Sequence, residues 1–162
     1  MLANVRFRGK AAAAAMAIPG VSSWVALKER AGFTAGETVL VNGATGTSGR
    51  LAVRIAKYLA AKKVIATGRQ AATLQLIKAL GADETILLIE NRDALENTLK
   101  EQFAGGADVV LDYLWGQSAE CLLIAGSRAG ADAPIRFVQI GTRWWGEYHL
   151  ARSDTAFNRD RT

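Results

Sequence analysis

The residues best suited to chemistry are three evenly spaced glycines, Gly43, Gly46 and Gly49, which follow the apolar run 38–41 (TVLV) and precede a helical pattern. A strand, a tight turn and a helix are therefore expected, and in that setting the first two glycines let the backbone approach a pyrophosphate while the third lets the helix pack on the strand. The helix N-terminus would bind the phosphates through its free N–H groups and its dipole. The predicted phosphate-binding residues are Asn42, Gly43, Ala44, Thr45, Gly46, Thr47, Ser48 and Gly49. A glycine-rich turn without a ligand is the alternative.

The residue that selects the dinucleotide stands after the second apolar run. In doubly wound folds a carboxylate about 20 residues beyond the glycines holds the ribose 2′-OH of NAD. Here Gly68 and Arg69 occupy that place, with no carboxylate beside them. A guanidinium can bind a 2′-phosphate through two hydrogen bonds. This arrangement favours NADP(H) over NAD(H); an exposed loop cation is the alternative for Arg69.

Two further strand ends could face the same ligand. Asp112 ends the fourth apolar run, where it could face the cofactor or cap the following loop. Gly141 and Thr142 follow the fifth run, at the end expected for the nicotinamide. No catalytic residue is predicted. His149 has no partner and Cys121 falls in a predicted helix, so no zinc site is expected.

The elements that position these residues alternate along the chain. Short apolar strands are expected at 38–41, 63–67, 85–88, 107–112 and 135–140, and helices at 50–61, 71–80, 93–102 and 118–125. Such alternation is typical of a parallel sheet covered by helices on both faces. We therefore predict an α/β, doubly wound, Rossmann-type fold of about five strands in the order 3-2-1-4-5.

The ends of the chain flank this core. Residues 1–20 are interpreted as a helical lead-in that Pro19 and Gly20 end, and Ser22 and Ser23 as the cap of a new helix. A secretory signal is the alternative for the basic and alanine-rich start. The dinucleotide-binding domain is assigned to 21–142, and 143–162 to a divergent tail.

The composition is that of one folded domain. The chain has 162 residues, a hydrophobic fraction of 50% and a formal net charge of +5, which excludes disorder as the default and fits a single core. The charges are mixed, so no nucleic-acid partner is expected. No run is long and apolar enough to span a membrane. A single cysteine excludes a disulfide framework and suggests a cytoplasmic protein.

Several segments together resemble the medium-chain dehydrogenase/reductase superfamily, and among its branches the zinc-independent quinone oxidoreductases and related alcohol dehydrogenases. The similar segments are 18–21 (IPGV), 24–27 (WVAL), 36–46 (GETVLVNGATG), 56–59 (AKYL), 80–83 (LGAD) and 109–112 (VVLD). The resemblance implies a cofactor-binding domain that in the family accompanies an N-terminal catalytic domain. Few residues precede the matching region here, and the likeness fades near Arg143, before the family's sixth strand. The resemblance therefore implies a truncated relative.

Three functions follow as hypotheses. The first is an NADP(H)-binding domain without catalysis of its own. The second is a working NADPH-dependent oxidoreductase whose substrate site is completed by a dimer mate or partner chain. The third is an interaction protein with an unused dinucleotide site. Without a sixth strand the edge of the fifth strand would be bare, and Trp144, Trp145 and Tyr148 would add apolar area beside it, so we expect a homodimer.

Overall fold

Five short strands form one parallel sheet in a computed structural model that describes residues 10–89, 91–130 and 134–141. The strands are β1 (Thr38–Asn42), β2 (Lys63–Gly68), β3 (Glu84–Leu87), β4 (Val109–Asp112) and β5 (Arg136–Gln139). Their order is β3-β2-β1-β4-β5. The helices are α1 (Lys10–Val25), α2 (Thr47–Tyr58), α3 (Ala71–Ala79), α4 (Arg92–Ala104) and α5 (Gln117–Arg128), and a π-helical turn (Ala26–Arg30) follows α1. The predicted α/β class and strand order are confirmed.

The sheet separates two apolar layers, because neighbouring side chains of a strand point to opposite faces. Val39 and Val41 of β1 pack in one layer with Leu27, Phe33 and Val53. Between them, Leu40 packs in the other layer, which includes Ile65, Leu99, Phe103 and Leu122. Every residue of β1 is buried, which explains why its centre, 39–41 (VLV), is apolar instead of alternating.

The N-terminal helix is continuous where the sequence predicts a break. Helix α1 runs through Pro19 and Gly20, so the expected helix start at Ser22 and Ser23 is wrong. Proline lacks the N–H that a helix interior uses, and its own carbonyl accepts hydrogen bonds from the Ser22 and Ser23 hydroxyls, both at 2.9 Å, which do not replace that missing donor. Packing of α1 against α2 then outweighs the local preference for a break. The expected boundary at residue 20 consequently falls inside α1.

Helix α2 packs against the core with its small residues and with part of its apolar stripe. The sequence places Leu51, Ile55, Tyr58 and Leu59 on one stripe, of which Ile55 and Leu59 pack against the core and Tyr58 is 67% exposed. The fully buried residues are Gly49, Ala52, Val53 and Ala56. The helix begins three residues earlier than expected, at Thr47, and its small residues face the sheet because the helix lies close to the glycine turn. This close approach brings the start of α2 to the end of β1.

Strand β5 forms one edge of the sheet in the part of the chain that the structure describes. Within the described ranges, β5 pairs with β4 on one side and with no strand on the other. Trp144, Trp145, Tyr148 and the remainder of the predicted tail lie outside the described residues. None of the described helices combines the length and apolar character needed to cross a membrane.

Candidate functional site

A cleft of about 640 Å³ lies at the carboxyl ends of β1, β2, β4 and β5. Ligands of open parallel sheets bind at the carboxyl ends of the strands, at the point where the strand order reverses. Here that point is at β1, which connects to β2 on one side, while the chain returns from β3 to β4 on the other. Most of the predicted site residues line this cleft, namely Gly43, Thr45, Gly46, Thr47, Ser48, Gly49, Gly68, Arg69 and Gly141. The structure therefore brings together residues from the first, second and fifth strand ends.

The three glycines of the turn serve different purposes. Gly43 has a φ of +86°, a conformation that other residues rarely adopt. At Gly49 a Cβ would meet the carbonyl oxygen of Gly43 and lie 2.6 Å from the Cα of Ala44, so only glycine lets α2 approach β1 this closely. Gly46 lacks such crowding, because a Cβ there would meet only the Gly43 oxygen, at 3.9 Å. Its missing side chain leaves the cleft open.

The N-terminus of α2 presents free hydrogen-bond donors to this cleft. Among the described residues, no protein acceptor takes the N–H groups of Thr47, Ser48 and Gly49, and no side chain caps the helix at Gly46. The first backbone hydrogen bond of the helix is that of the Arg50 N–H, which donates to the Gly46 carbonyl oxygen at 2.9 Å. Three open amides at the positive end of a helix dipole form an anion-binding arrangement.

A buried polar network holds the turn from below. The Gly43 N–H donates to Thr67 Oγ1 at 3.1 Å, and that hydroxyl donates to Asn42 Oδ1 at 2.6 Å. Asn42 Nδ2 donates in turn to Asp112 Oδ1 at 2.8 Å and to Ser118 Oγ at 3.0 Å. Ser118 is the first residue of the helix expected at 118–125, but α5 begins at Gln117 and the Ser118 hydroxyl accepts a hydrogen bond in this network. The network joins the ends of β1, β2 and β4.

Three predicted site residues lie beneath the cleft and do not line it. Asn42, Ala44 and Asp112 are fully buried. The Asp112 carboxylate accepts hydrogen bonds from the backbone N–H of Leu114 at 3.0 Å and of Trp115 at 3.1 Å. Of the two roles that the sequence suggests for Asp112, this is the cap of the following loop. These residues shape the turn from behind. The remaining predicted residue, Thr142, lies outside the described residues.

Arg69, which the sequence predicts as the residue that selects the dinucleotide, is exposed beside the turn. Arg69 follows β2 directly and lines the cleft, and it makes no ion pair or hydrogen bond with another described residue. Gly68 is closely packed, because a Cβ there would lie 2.5 Å from Thr45 Cγ2. The Arg69 guanidinium therefore stands next to the glycine turn with its donors available.

The opposite end of the cleft contains residues that the sequence did not identify as part of a site. Ile18, Pro19 and Ser22 of α1 form one wall, and Tyr113, Leu114 and Ile140 another. The α1 residues were missed because Pro19 and Gly20 indicate the end of a helix. No pattern in the sequence around Tyr113 indicates that its neighbour is Ser23, 90 residues away.

Tyr113 is held on three sides. Its hydroxyl lies 2.7 Å from Ser23 Oγ, and its N–H donates to the backbone oxygen of Asn42 at 3.1 Å. Its carbonyl lies so close to Gly141 that a Cβ on Gly141 would be only 2.6 Å from the carbonyl oxygen. Burial raises the pKa of Tyr113 to about 12, although the hydrogen bond with Ser23 acts in the opposite direction. The Tyr113 hydroxyl therefore stays protonated at neutral pH.

Metal-binding side chains do not gather around the cleft. Across the described ranges, no three His, Cys, Asp or Glu residues lie close enough together to hold a metal ion. Cys121 is buried in α5, and burial raises the pKa of its thiol. His149 lies outside the described residues.

Comparison with known proteins relates the chain to dehydrogenases and reductases. Residues 49–128 match the family model described as zinc-binding dehydrogenase. A relative from Emericella nidulans, named Probable NADPH-dependent quinone reductase tdiC, is 35% identical over 136 residues, which are 80% of this chain and 37% of the relative. The chain therefore spans well under half the length of that protein.

Solved structures share the fold. The enoyl reductase CurK is 27% identical, with a TM-score of 0.65 over 86% of this chain and 40% of that one. A mycobacterial quinone oxidoreductase has a TM-score of 0.69 at 24% identity, over 85% of this chain and 40% of that one, and this likeness concerns the fold alone. In both cases the matching part is about two fifths of the longer chain.

Proposed function

Because the chain belongs to the medium-chain dehydrogenase/reductase superfamily and corresponds to its cofactor-binding domain, we propose that it binds NADP(H) in the cleft above residues 43–49. The observation that carries the proposal is the uncapped N-terminus of α2. There the open amides of Thr47, Ser48 and Gly49 converge on a turn whose glycines leave room for a pyrophosphate.

The strand order sets the direction of the bound dinucleotide. The pyrophosphate would lie over β1, where the cleft passes from the β2 side to the β4 side. Arg69, after β2, then belongs to the adenosine half. Tyr113 and Gly141, after β4 and β5, belong with α1 to the nicotinamide half. The name of the Emericella nidulans relative, which specifies NADPH, supports the choice of cofactor.

Arg69 is the residue that we propose selects NADPH over NADH. A charge-assisted contact to a phosphate is worth roughly 10- to 100-fold in affinity, so NADPH should bind that much more tightly than NADH. Arg69→Asp should remove or reverse the difference, because a carboxylate repels the 2′-phosphate and accepts a hydrogen bond from a 2′-hydroxyl. Fluorescence titration with both cofactors measures this difference.

Arg54 provides the matched control, because it is also an exposed arginine but lies further along α2, outside the cleft lining. Arg54→Asp makes the same charge change and should leave the NADPH/NADH ratio as it is. Equal affinity of the unmodified protein for the two cofactors would exclude the role given to Arg69.

We further propose that the chain alone binds the cofactor without transferring hydride to a substrate. Hydride transfer requires groups that position the substrate as well as the cofactor. At the nicotinamide end, the Tyr113 hydroxyl is already bound to Ser23. An NADPH-oxidation assay on quinones and enals tests this point. Turnover by the purified chain would favour a working oxidoreductase whose dimer mate closes the substrate site, and failure to bind either cofactor would leave an interaction protein.

The unpaired edge of β5 supports a homodimer as part of the same proposal. Within the described ranges β5 has β4 as its only neighbour, and bare strand edges favour pairing with another chain. A twofold arrangement is the simplest closed form. A monomeric mass in light scattering at micromolar concentration would contradict it.

A further inference from the structure

We propose that the hydrogen-bonded pair of Ser23 and Tyr113 positions α1 as the wall that contacts the nicotinamide half of the cofactor. This inference rests on the proposed NADP(H) function and adds two positioning residues to it. Its consequence is selective: breaking the hydrogen bond should weaken binding of the nicotinamide half and spare the adenosine half.

The hydrogen bond between the two residues has a defined direction. A hydroxyl has one proton to donate, and Ser23 Oγ lies 2.9 Å from the carbonyl oxygen of Pro19, which can only accept. The Tyr113 hydroxyl, at 2.7 Å from the same Oγ, is therefore the donor to Ser23. Ser23 Oγ also lies 3.5 Å from the Ser48 oxygen in the phosphate turn. Ser23 thus joins α1 to the end of β4, and its proton, already given to Pro19, is not available to the more distant Ser48 oxygen.

Ser23 is the principal attachment of this part of α1 to the sheet. Between residues 17 and 25 it is the sole buried residue, whereas Ile18 is 82% exposed and Val21 61% exposed. The apolar side chains of this stretch therefore add little to the buried core, although Trp24 lies against Tyr58 of α2, with ring centroids 6.3 Å apart. At the end of β4, Tyr113 is held by the hydrogen bond of its N–H to the Asn42 backbone oxygen and by close contact with Gly141. The hydroxyl pair consequently joins α1, which packs against α2, to the end of β4.

The wall held by the pair lies at one end of the cleft only. Ile18, Pro19 and Ser22 line the cleft together with Tyr113 and Ile140. Arg69 lies beyond β1, on the β2 side of the sheet. A displacement of α1 would therefore change contacts to the nicotinamide end first, while the Arg69 side and the sheet beneath it keep their geometry.

The experiment compares two ligands on the same protein. NADPH reports on the whole cleft, and adenosine 2′,5′-bisphosphate reports on the adenosine half alone. Tyr113→Phe removes one hydrogen bond and keeps the ring, so the Kd for NADPH should rise roughly three- to tenfold, and the Kd for adenosine 2′,5′-bisphosphate should stay unchanged. Tyr58→Phe is the matched control, because it removes the hydroxyl of an exposed tyrosine on α2 and should change neither Kd.

A second variant tests the other partner of the same bond. Ser23→Ala should produce the same selective loss, and the double variant should bind NADPH no more weakly than the weaker single variant, since both changes remove one interaction. Equal weakening of both ligands by Tyr113→Phe would overturn the inference, and so would unchanged NADPH binding. If the unmodified protein binds neither ligand, the proposed function itself fails, an outcome visible before any substitution is made.

Discussion

Alanine substitutions at Gly49 and Gly46 should separate the contribution of the glycine turn to folding from its contribution to binding. Alanine at position 49 places a Cβ against the Gly43 carbonyl oxygen and 2.6 Å from the Ala44 Cα. Comfortable carbon–carbon contacts lie near 3.5–4.0 Å, so the backbone must move by about 1 Å. Both neighbours are backbone atoms, and no flexible side chain can turn aside to relieve the contact.

The cost of this movement follows from what holds the turn. Gly43 and Ala44 donate their N–H groups to the Thr67 hydroxyl at 3.1 Å and the Thr67 carbonyl at 2.9 Å. Overpacking costs about 1–3 kcal/mol, and a weakened hydrogen bond adds about 1 kcal/mol. We therefore expect Gly49→Ala to lower the free energy of unfolding by about 2–4 kcal/mol. For a chain of this size the Tm falls by roughly 5–15 °C.

Gly46→Ala is the contrasting substitution. Its Cβ would meet only the Gly43 oxygen, at 3.9 Å, and its φ of −77° is one that alanine adopts readily. The loss of a favourable N-cap residue and the reduced entropy of the unfolded chain act in opposite directions, each by about 0.5–1 kcal/mol. Stability should therefore change little. The added methyl group stands at the phosphate position, so NADPH affinity should fall by roughly tenfold or more.

Denaturant unfolding monitored by circular dichroism gives the stability of both variants, and titration with NADPH gives their affinity. If Gly49→Ala unfolds at the same denaturant concentration as the unmodified protein, the close approach of α2 to β1 does not constrain the turn, and the reasoning from backbone crowding is refuted. If Gly46→Ala retains full NADPH affinity, the phosphate does not lie over this part of the turn.

Two further predictions concern stability. Thr67→Val leaves the Gly43 N–H and Asn42 Oδ1 buried without partners, so thermal unfolding should show a loss of about 2–4 kcal/mol, whereas Thr98→Val, at an exposed hydroxyl on α4, should change little. Burial raises the pKa of Glu37, but hydrogen bonds from the Thr34 N–H and from Arg136 outweigh this effect, and the pKa lies below its ordinary value of 4.5. Since the folded pKa is the lower one, Glu37 stabilises the fold above pH 4.5 and this contribution is lost as the pH falls further; the acid-induced loss of stability should be smaller in Glu37→Gln, and an unchanged profile would contradict the assignment.

The sequence could predict the sheet because its signals are local. Runs such as 38–41 are too short for a helix and apolar throughout, which indicates a strand buried on both faces. The glycines after β1 then place the turn, and Arg69 follows at the expected distance. Strand order could be chosen because few right-handed arrangements of such units exist.

The sequence could not predict the parts of the site that depend on contacts between distant residues. Asn42 and Asp112 lie opposite each other only because β1 pairs with β4 in one register, so their mutual hydrogen bond cannot be inferred from either segment alone. The same holds for Ser23 and Tyr113. The continuation of α1 through Pro19 depends on packing against α2, which overrides local propensity.

The network beneath the turn also predicts how substitutions would behave in a living cell. Thr67 and Asn42 hold three strand ends together, and a loss of one or two kcal/mol in folding stability can lower protein abundance several-fold through proteolytic quality control. Variants at these positions would therefore resemble gene deletions, with little protein left to assay. Variants at Gly46 or Arg69 would accumulate normally and change only the proposed binding of the cofactor. Western blotting of a variant library could thus map the boundary between scaffold and binding surface without any purified protein.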